Sequence, residues 1–266
     1  MTMSTNDRAT VRLAAVGDIH FGRTPVAALQ ALLSRIVETA DILVLAGDLT
    51  DTGHPDEARL LAKELATVKL PIVAVLGNHD HHAGRVAETQ QILTDAGVSV
   101  LDGTAVEVLG VGFAGTKGFA GGFGRHALGP WGEQTIKGFV QEAVDEALKL
   151  ETALARIRSD RRVALLHYAP IAGTVMGEPP EIFAYLGSSR LEEPLGRYRV
   201  DVVYHGHAHH GAPEGATAGG VPVYNVSMSL LQRTFPEQAA FRLFEMPRSG
   251  APASPSAGDP LPARNA

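Results

Sequence analysis

Three short apolar runs, each ended by a glycine and a polar residue, organise the first third of the chain. Residues 11–16 (VRLAAV) lead into Gly17-Asp18, residues 42–46 (ILVLA) into Gly47-Asp48, and residues 72–76 (IVAVL) into Gly77-Asn78. Near-continuous apolarity over so short a run, interrupted only by Arg12, and bounded by turn residues, reads as a buried strand. Between the runs, apolar positions recur with helical period. Residues 24–38 open on Thr24-Pro25, which predicts a threonine cap and a proline in the first turn. Residues 55–68 carry Leu60, Leu61 and Leu65, expected on one face of a second helix. Strands alternating with helices imply βαβ units and a largely parallel sheet, the α/β class.

After a further helix expected at 83–96, the pattern changes. Residues 98–114 give short β-like pieces punctuated by glycine with no helix between them, which predicts a sheet edge or a second sheet with antiparallel character. Residues 115–132 hold seven glycines and read as a long, mobile surface loop rather than a packed element. Residues 133–158 form a long helix candidate. Runs 163–166 and 200–204 are strands, each followed by a histidine, and 221–226 with 240–245 are expected to complete the second sheet. Residues 1–246 read as one domain without internal repeats. Residues 247–266 carry five prolines among Ala, Ser and Gly, and read as a disordered tail.

Composition narrows the class. The 266 residues are 45% hydrophobic and 20% charged, ordinary for a soluble globular protein. No apolar run is long enough to span a bilayer, and the opening MTMSTNDRAT lacks the basic-then-apolar order of a secretory signal, so a cytoplasmic location is expected. The absence of cysteine excludes disulfides, thiolate zinc sites and cysteine nucleophiles. A net charge of −6 argues against an extended nucleic-acid track, which needs many Lys and Arg on phosphates. A small, locally docked phosphate ligand remains allowed; neither a membrane nor an extended nucleic acid is expected as a partner, and a homo-oligomer stays open.

Histidine changes the picture most. Nine of the eleven lie at four places: His20; His79, His81 and His82; His167; and His205, His207, His209 and His210. Polar groups at the carboxyl ends of parallel strands converge on a ligand site, although far apart in sequence. A Gly-Asp after one strand is more often a turn with an Asx hydrogen bond, and a lone His167 more often a satisfied core histidine. Their coincidence reverses both readings. Asp, Asn and His without thiolate suit divalent Mn, Fe, Zn, Co or Ni, not Cu(I) or an iron–sulfur cluster.

The ordered set of Asp18-x-His20, Gly47-Asp48-x-x-Asp51, Gly77-Asn78-His79-Asp80, a strand-end His167 and Gly206-His207-x-His209 resembles the calcineurin-like metallophosphoesterase superfamily over residues 11–226, and within it the bacterial phosphodiesterases. The resemblance implies a four-layer α/β/β/α sandwich, two divalent metal ions (Mn, Fe or Zn) and phosphoester hydrolysis. It implies that Asp18, His20, Asp48 and His209 hold one ion, and that Asp48, Asn78, His167 and His207 hold the other, Asp48 bridging. His205 and His207 share the spacing of His207 and His209; the latter pair is chosen because the family glycine precedes its first ligand, which leaves His205 a supporting role at the strand end.

Chemistry supplies a role for each group. Metal ions about 3.5–4 Å apart lower the pKa of a shared water and clamp phosphorus oxygens during in-line attack. His79 is the candidate acid for the departing alkoxide, Asp80 the group expected to orient it, and Asp51 a group fixing a ligand from behind. His81, His82 and His210 read as rim residues. Arg23, Lys117, Arg125 and His126 are candidates to meet phosphate or a nucleoside, and Phe119, Phe123 and Trp131 to stack on a base, although loop charges are more often solvated and loop aromatics more often anchors. Residues 169–187 are placed as a further wall. The expected substrate is a small phosphodiester such as a cyclic nucleotide, because no dense basic pocket for a dianionic monoester is legible. The alternatives are a phosphomonoesterase or nuclease acting on nucleotides and, from another class, a metal-bound interaction scaffold without turnover.

Overall fold

The computed structural model describes residues 9–248. Three parallel strands, β1 (Thr10–Val16), β2 (Ile42–Ala46) and β3 (Ile72–Val75), form the centre of a first sheet. Helices α1 (Val26–Thr39) and α2 (Pro55–Leu65) connect them, and α3 (Val86–Asp95) leads to β4 (Val98–Val100), parallel to β3. The second sheet begins with the hairpin of β5 (Thr104–Val108) and β6 (Val111–Gly115). The long helix α4 (Gln134–Arg156) then leads to β7 (Arg162–Leu165), followed by short helices α5 (Phe183–Leu186) and α6 (Glu192–Arg197) and strand β8 (Val202–His205). Strands β9 (Glu214–Ala216) and β10 (Pro222–Asn225) follow, then α7 (Met228–Thr234) and β11 (Arg242–Pro247). Among the described residues the sheet orders are β11-β1-β2-β3-β4 and β5-β6-β7-β8-β10-β9.

Strand alternation separates the cores. Phe113, Val163, Leu165 and Val202 face inward with Leu13, Val44 and Val73 of the first sheet, whereas their neighbours Ala114, Ala164 and Val203 pack with Leu150 and Leu154 of α4 and Leu195 of α6. Leu29, Leu33 and Ile36 of α1, with Leu61 and Leu65 of α2, join the inner cluster from the other side. The product is the α/β sandwich of two mixed sheets. No helix among the described residues is long and apolar enough to cross a membrane.

Several expectations are corrected. Residues 240–245 do not complete the second sheet; β11 pairs antiparallel with β1 from Thr10↔Pro247 to Ala15↔Arg242, covering an edge of β1 that would otherwise expose unpaired backbone. Thr24 does not cap α1: its hydroxyl donates to the Ile19 carbonyl (2.6 Å), tying α1 to the loop after β1. Leu60 is 51% exposed, while Leu61 and Leu65 are buried. Residues 116–122 are mostly packed rather than a surface loop, because buried Glu146 of α4 accepts hydrogen bonds from the Thr116 hydroxyl (2.5 Å) and the Gly118 N–H (2.8 Å). Only the part from 124 onward is chiefly exposed. The tail beyond 248 lies outside the described residues.

Candidate metal centre

Main-chain hydrogen bonds stitch the loop after β1 to that after β2, and the loops after β6, β7 and β8 to one another. Asp18 N–H donates to Gly47 O (2.9 Å), His20 N–H to Asp48 O (3.0 Å), Gly206 N–H to His167 O (3.1 Å), and His167 N–H to Lys117 O (3.0 Å). The glycines ahead of the candidate ligands provide room for one another's partners. A Cβ at Gly77 would lie 2.1 Å from Asp48 Oδ1, one at Gly206 2.5 Å from Asp18 Oδ2, and one at Gly47 2.5 Å from His167 Nδ1. Asp18, His20, Asp48 and His207 all adopt positive φ, four of the six non-glycine cases among the described residues. Each such residue costs about 1–3 kcal/mol, and strain of this kind concentrates at functional sites.

Two sets of donors result. Asp18, His20 and His209 offer one group of atoms within 4.8 Å of one another, and Asp48, His167 and His207 another. Asp48 lies between them, with Oδ1 3.3 Å from His167 Nε2 and Oδ2 3.9 Å from His20 Nε2. Asn78 Oδ1 completes the second set, 2.9 Å from His167 Nε2. His167 Nδ1–H donates to the Ala46 carbonyl (3.0 Å), so in the neutral ring Nε2 carries a lone pair facing two oxygens. Such an arrangement is repulsive until a cation enters it. Likewise His207 Nε2–H donates to the Tyr185 carbonyl (3.1 Å), leaving Nδ1 with the lone pair. Both ring nitrogens of His20 are buried without a hydrogen bond, which in a stable fold calls for another partner. The donor set fits two divalent ions.

Electrostatics agrees. Burial, with the neighbouring Asp18 and Asp80 carboxylates, pushes Asp48 well above the usual carboxylate range. Burial also holds His167 well below the ordinary histidine value and lowers His207 and His20, favouring the neutral imidazoles that bind metal. Asp18 runs the other way: burial raises it, but the hydrogen bond from His209 and the surrounding imidazoles outweigh that and keep its carboxyl low. The same bond (3.0 Å) raises His209.

The remaining expectations divide. His79 reaches the centre: its N–H donates to Asp48 Oδ1 (2.8 Å), its Nδ1–H to the Asp51 main-chain carbonyl (2.6 Å), and its ring meets His20 edge-on at 4.5 Å. Asp80 does not orient His79. Fully buried, it accepts from the N–H groups of Leu49, Thr50 and Gly77 and from the Thr50 hydroxyl, clamping the β2 and β3 loops together. Asp51 Oδ1 lies 3.2 Å from His20 Nδ1. His205 is fully buried and bonds Gly206 O and the Thr174 hydroxyl, away from the donors. Arg23 is exposed, and its charge works against protonation of His209. Lys117 supports His167 through its carbonyl, whereas exposed Arg125 and His126 bond each other (3.1 Å) rather than a candidate ligand. Phe119 packs on Phe139 and Tyr168, Phe123 packs near Leu186, and Trp131 is 80% exposed.

Sequence reading misses several groups. The Tyr168 ring lies 4.4 Å from His207 and 5.5 Å from His167, and the Tyr185 carbonyl fixes His207. Buried Asn225 donates to Ala208 O (2.7 Å) and holds the loop after β8. Tyr168 directly follows His167, and Asn225 ends an apolar run as the ligands do; those signals could have found both.

Residues 11–211 match the family model described as Calcineurin-like phosphoesterase. The chain belongs to the calcineurin-like phosphoesterase family and is a metal-dependent phosphoester hydrolase of that class. No curated protein matches it significantly in sequence. Among solved structures, the phosphopantetheinyl hydrolase of Mycobacterium tuberculosis is similar at TM-score 0.63 and 15% identity, covering 97% of this chain and 99% of that one. TT1561 of Thermus thermophilus is similar at TM-score 0.54 and 13% identity, over 90% and 99%. A putative 5'-nucleotidase from Staphylococcus aureus is similar at TM-score 0.51 and 14% identity, over 82% of this chain and 48% of that one. These likenesses support the fold.

Proposed function

We propose that this protein hydrolyses a phosphodiester of a small molecule, with Asp18, His20, Asp48 and His209 holding one divalent ion and Asp48, Asn78, His167 and His207 the other. The observation that carries the reading is Asp48, whose two oxygens face the two donor sets separately. When bound, the ions supply an activated water and screen the phosphorus oxygens. The protein does the rest. Asp51 O fixes His79 Nδ1–H, which turns Nε2 away from the main chain to hold the proton delivered to the departing alkoxide. His167 and His207 are oriented by the carbonyls of Ala46 and Tyr185, so neither must reorganise on loading. A net charge of −6 favours a small substrate over extended nucleic acid. Manganese, iron and zinc all suit the donors.

The test is turnover by Mn²⁺-loaded protein on chromogenic esters. Hydrolysis of bis-p-nitrophenyl phosphate is expected. If that diester is untouched while p-nitrophenyl phosphate turns over rapidly, the protein is a monoesterase.

A further inference from the structure

Beside the proposed centre lies a cavity of about 110 Å³, framed by the ends of β3 and β4, the start of the 116–122 segment and α4. Room of this size admits a few waters or a short polar chain. It adjoins the site through three links: Leu76 precedes Gly77-Asn78, His81 follows His79 by two residues, and Lys117 carries the carbonyl that accepts the His167 and Tyr168 N–H groups (3.0 Å each).

The polar groups on its wall are unequally engaged. Glu146 accepts from Thr116, Gly118 and Lys149, and Asp102 from Lys149 at 3.0 Å, so those carboxylates are satisfied. Lys117 is not. Its half-buried ammonium, which burial pushes down, bonds only the adjacent Gly118 carbonyl (2.8 Å) and lies over Phe119 and Tyr168 at 4.8 and 5.3 Å. Lys117 therefore keeps donor capacity. Glu142, on the same wall, is an acceptor whose charge favours the ammonium. The rest of the lining is chiefly apolar, with Leu76, Val86, Val100 and Leu101 beside the polar Gln90 and His81. One more carboxylate than ammonium lines the cavity, which disfavours an anion.

We infer that this cavity is a specificity subsite for one arm of the diester, and that it takes an uncharged arm bearing a hydroxyl or amide, which accepts from Lys117 while donating to Glu142. The inference rests on the phosphoesterase reading, because the arm enters the cavity only if its phosphate sits at the candidate centre.

The experiment is calorimetric titration of Mn²⁺-loaded protein with dialkylphosphinates, which keep the single negative charge of a phosphodiester but have no ester bond to cleave, and which differ only at the tip of one arm: n-pentyl, ω-hydroxybutyl or ω-carboxypropyl. The hydroxyl arm should bind about tenfold more tightly than the pentyl arm, the effect of one added hydrogen bond to a charged donor. The carboxylate arm should bind no better than the hydroxyl. In Lys117→Met, with its melting temperature checked, the hydroxyl preference should shrink to within about twofold. Equal binding or no binding of the pentyl and hydroxyl ligands to the wild type, tightest binding of the carboxylate, or an undiminished preference in a folded Lys117→Met overturns the subsite. Turnover of bis-p-nitrophenyl phosphate by the same sample reports separately on the phosphodiesterase reading, and its absence alongside a hydroxyl preference sinks that reading alone.

Discussion

At the scale of single residues, His79 and His205 show how neighbours divide histidines between chemistry and support. His79 is half-exposed and held through Nδ1 by a main-chain carbonyl, so removing its ring should spare the donors around it. His79→Ala should keep its metal content, measured by elemental analysis, yet lose turnover by about 100-fold. An unchanged rate would remove it from the mechanism. His205 is wholly buried and pushed down to about 4 by burial. Between its ordinary 6.5 and about 4, the unfolded chain binds a proton that the folded chain does not, so stability falls as pH falls through that window. The full effect is about 3 kcal/mol. Other buried histidines share the window; hence the informative variant is His205→Gln in chelator. Its urea-unfolding free energy should change less than that of the wild type between about pH 7 and about pH 4.5; an equal change contradicts the assignment.

At the scale of elements, the strand ends were legible because an apolar run closed by Gly and a polar residue has one stable placement: buried, with its carboxyl end at a site. Asp18, Asp48 and Asn78 follow from that rule; His167 ends an apolar run without the glycine, and the choice of His207 and His209 over His205 rests on the family resemblance. What escaped reading depends on partners distant in sequence. Thr24 prefers the Ile19 carbonyl to a capping role, Asp80 prefers the N–H groups of another loop to His79, and β11 chooses the open edge of β1. Glycine shows the same divide. Gly77 closes a strand and Gly138 lies within α4, and the space around each differs accordingly: a Cβ at Gly77 would strike Asp48 and one at Gly138 would meet open space. Gly77→Ala should therefore lose metal binding, whereas Gly138→Ala should stabilise the protein by about 0.5–1 kcal/mol through helix propensity. Equilibrium dialysis and thermal unfolding check the two, and a destabilised Gly138→Ala would show that α4 tolerates no added methyl there.

At the scale of the whole molecule, two sheets meet so that the carboxyl ends of β1, β2 and β3 from one, and β7 and β8 from the other, deliver oxygens and imidazoles to one place. Holding those groups together costs strained backbone at Asp18, His20, Asp48 and His207. Bound cations would offset that strain together with the mutual repulsion of buried donors. His20 also belongs to a third group with Asp51 and His79, so the donors allow more than one placement of ions. Anomalous diffraction from crystals of Mn²⁺-loaded protein discriminates among them. Two peaks should flank Asp48, one among Asp18, His20 and His209 and the other among Asn78, His167 and His207. A single peak, or one seated between Asp51 and His79, would contradict that placement.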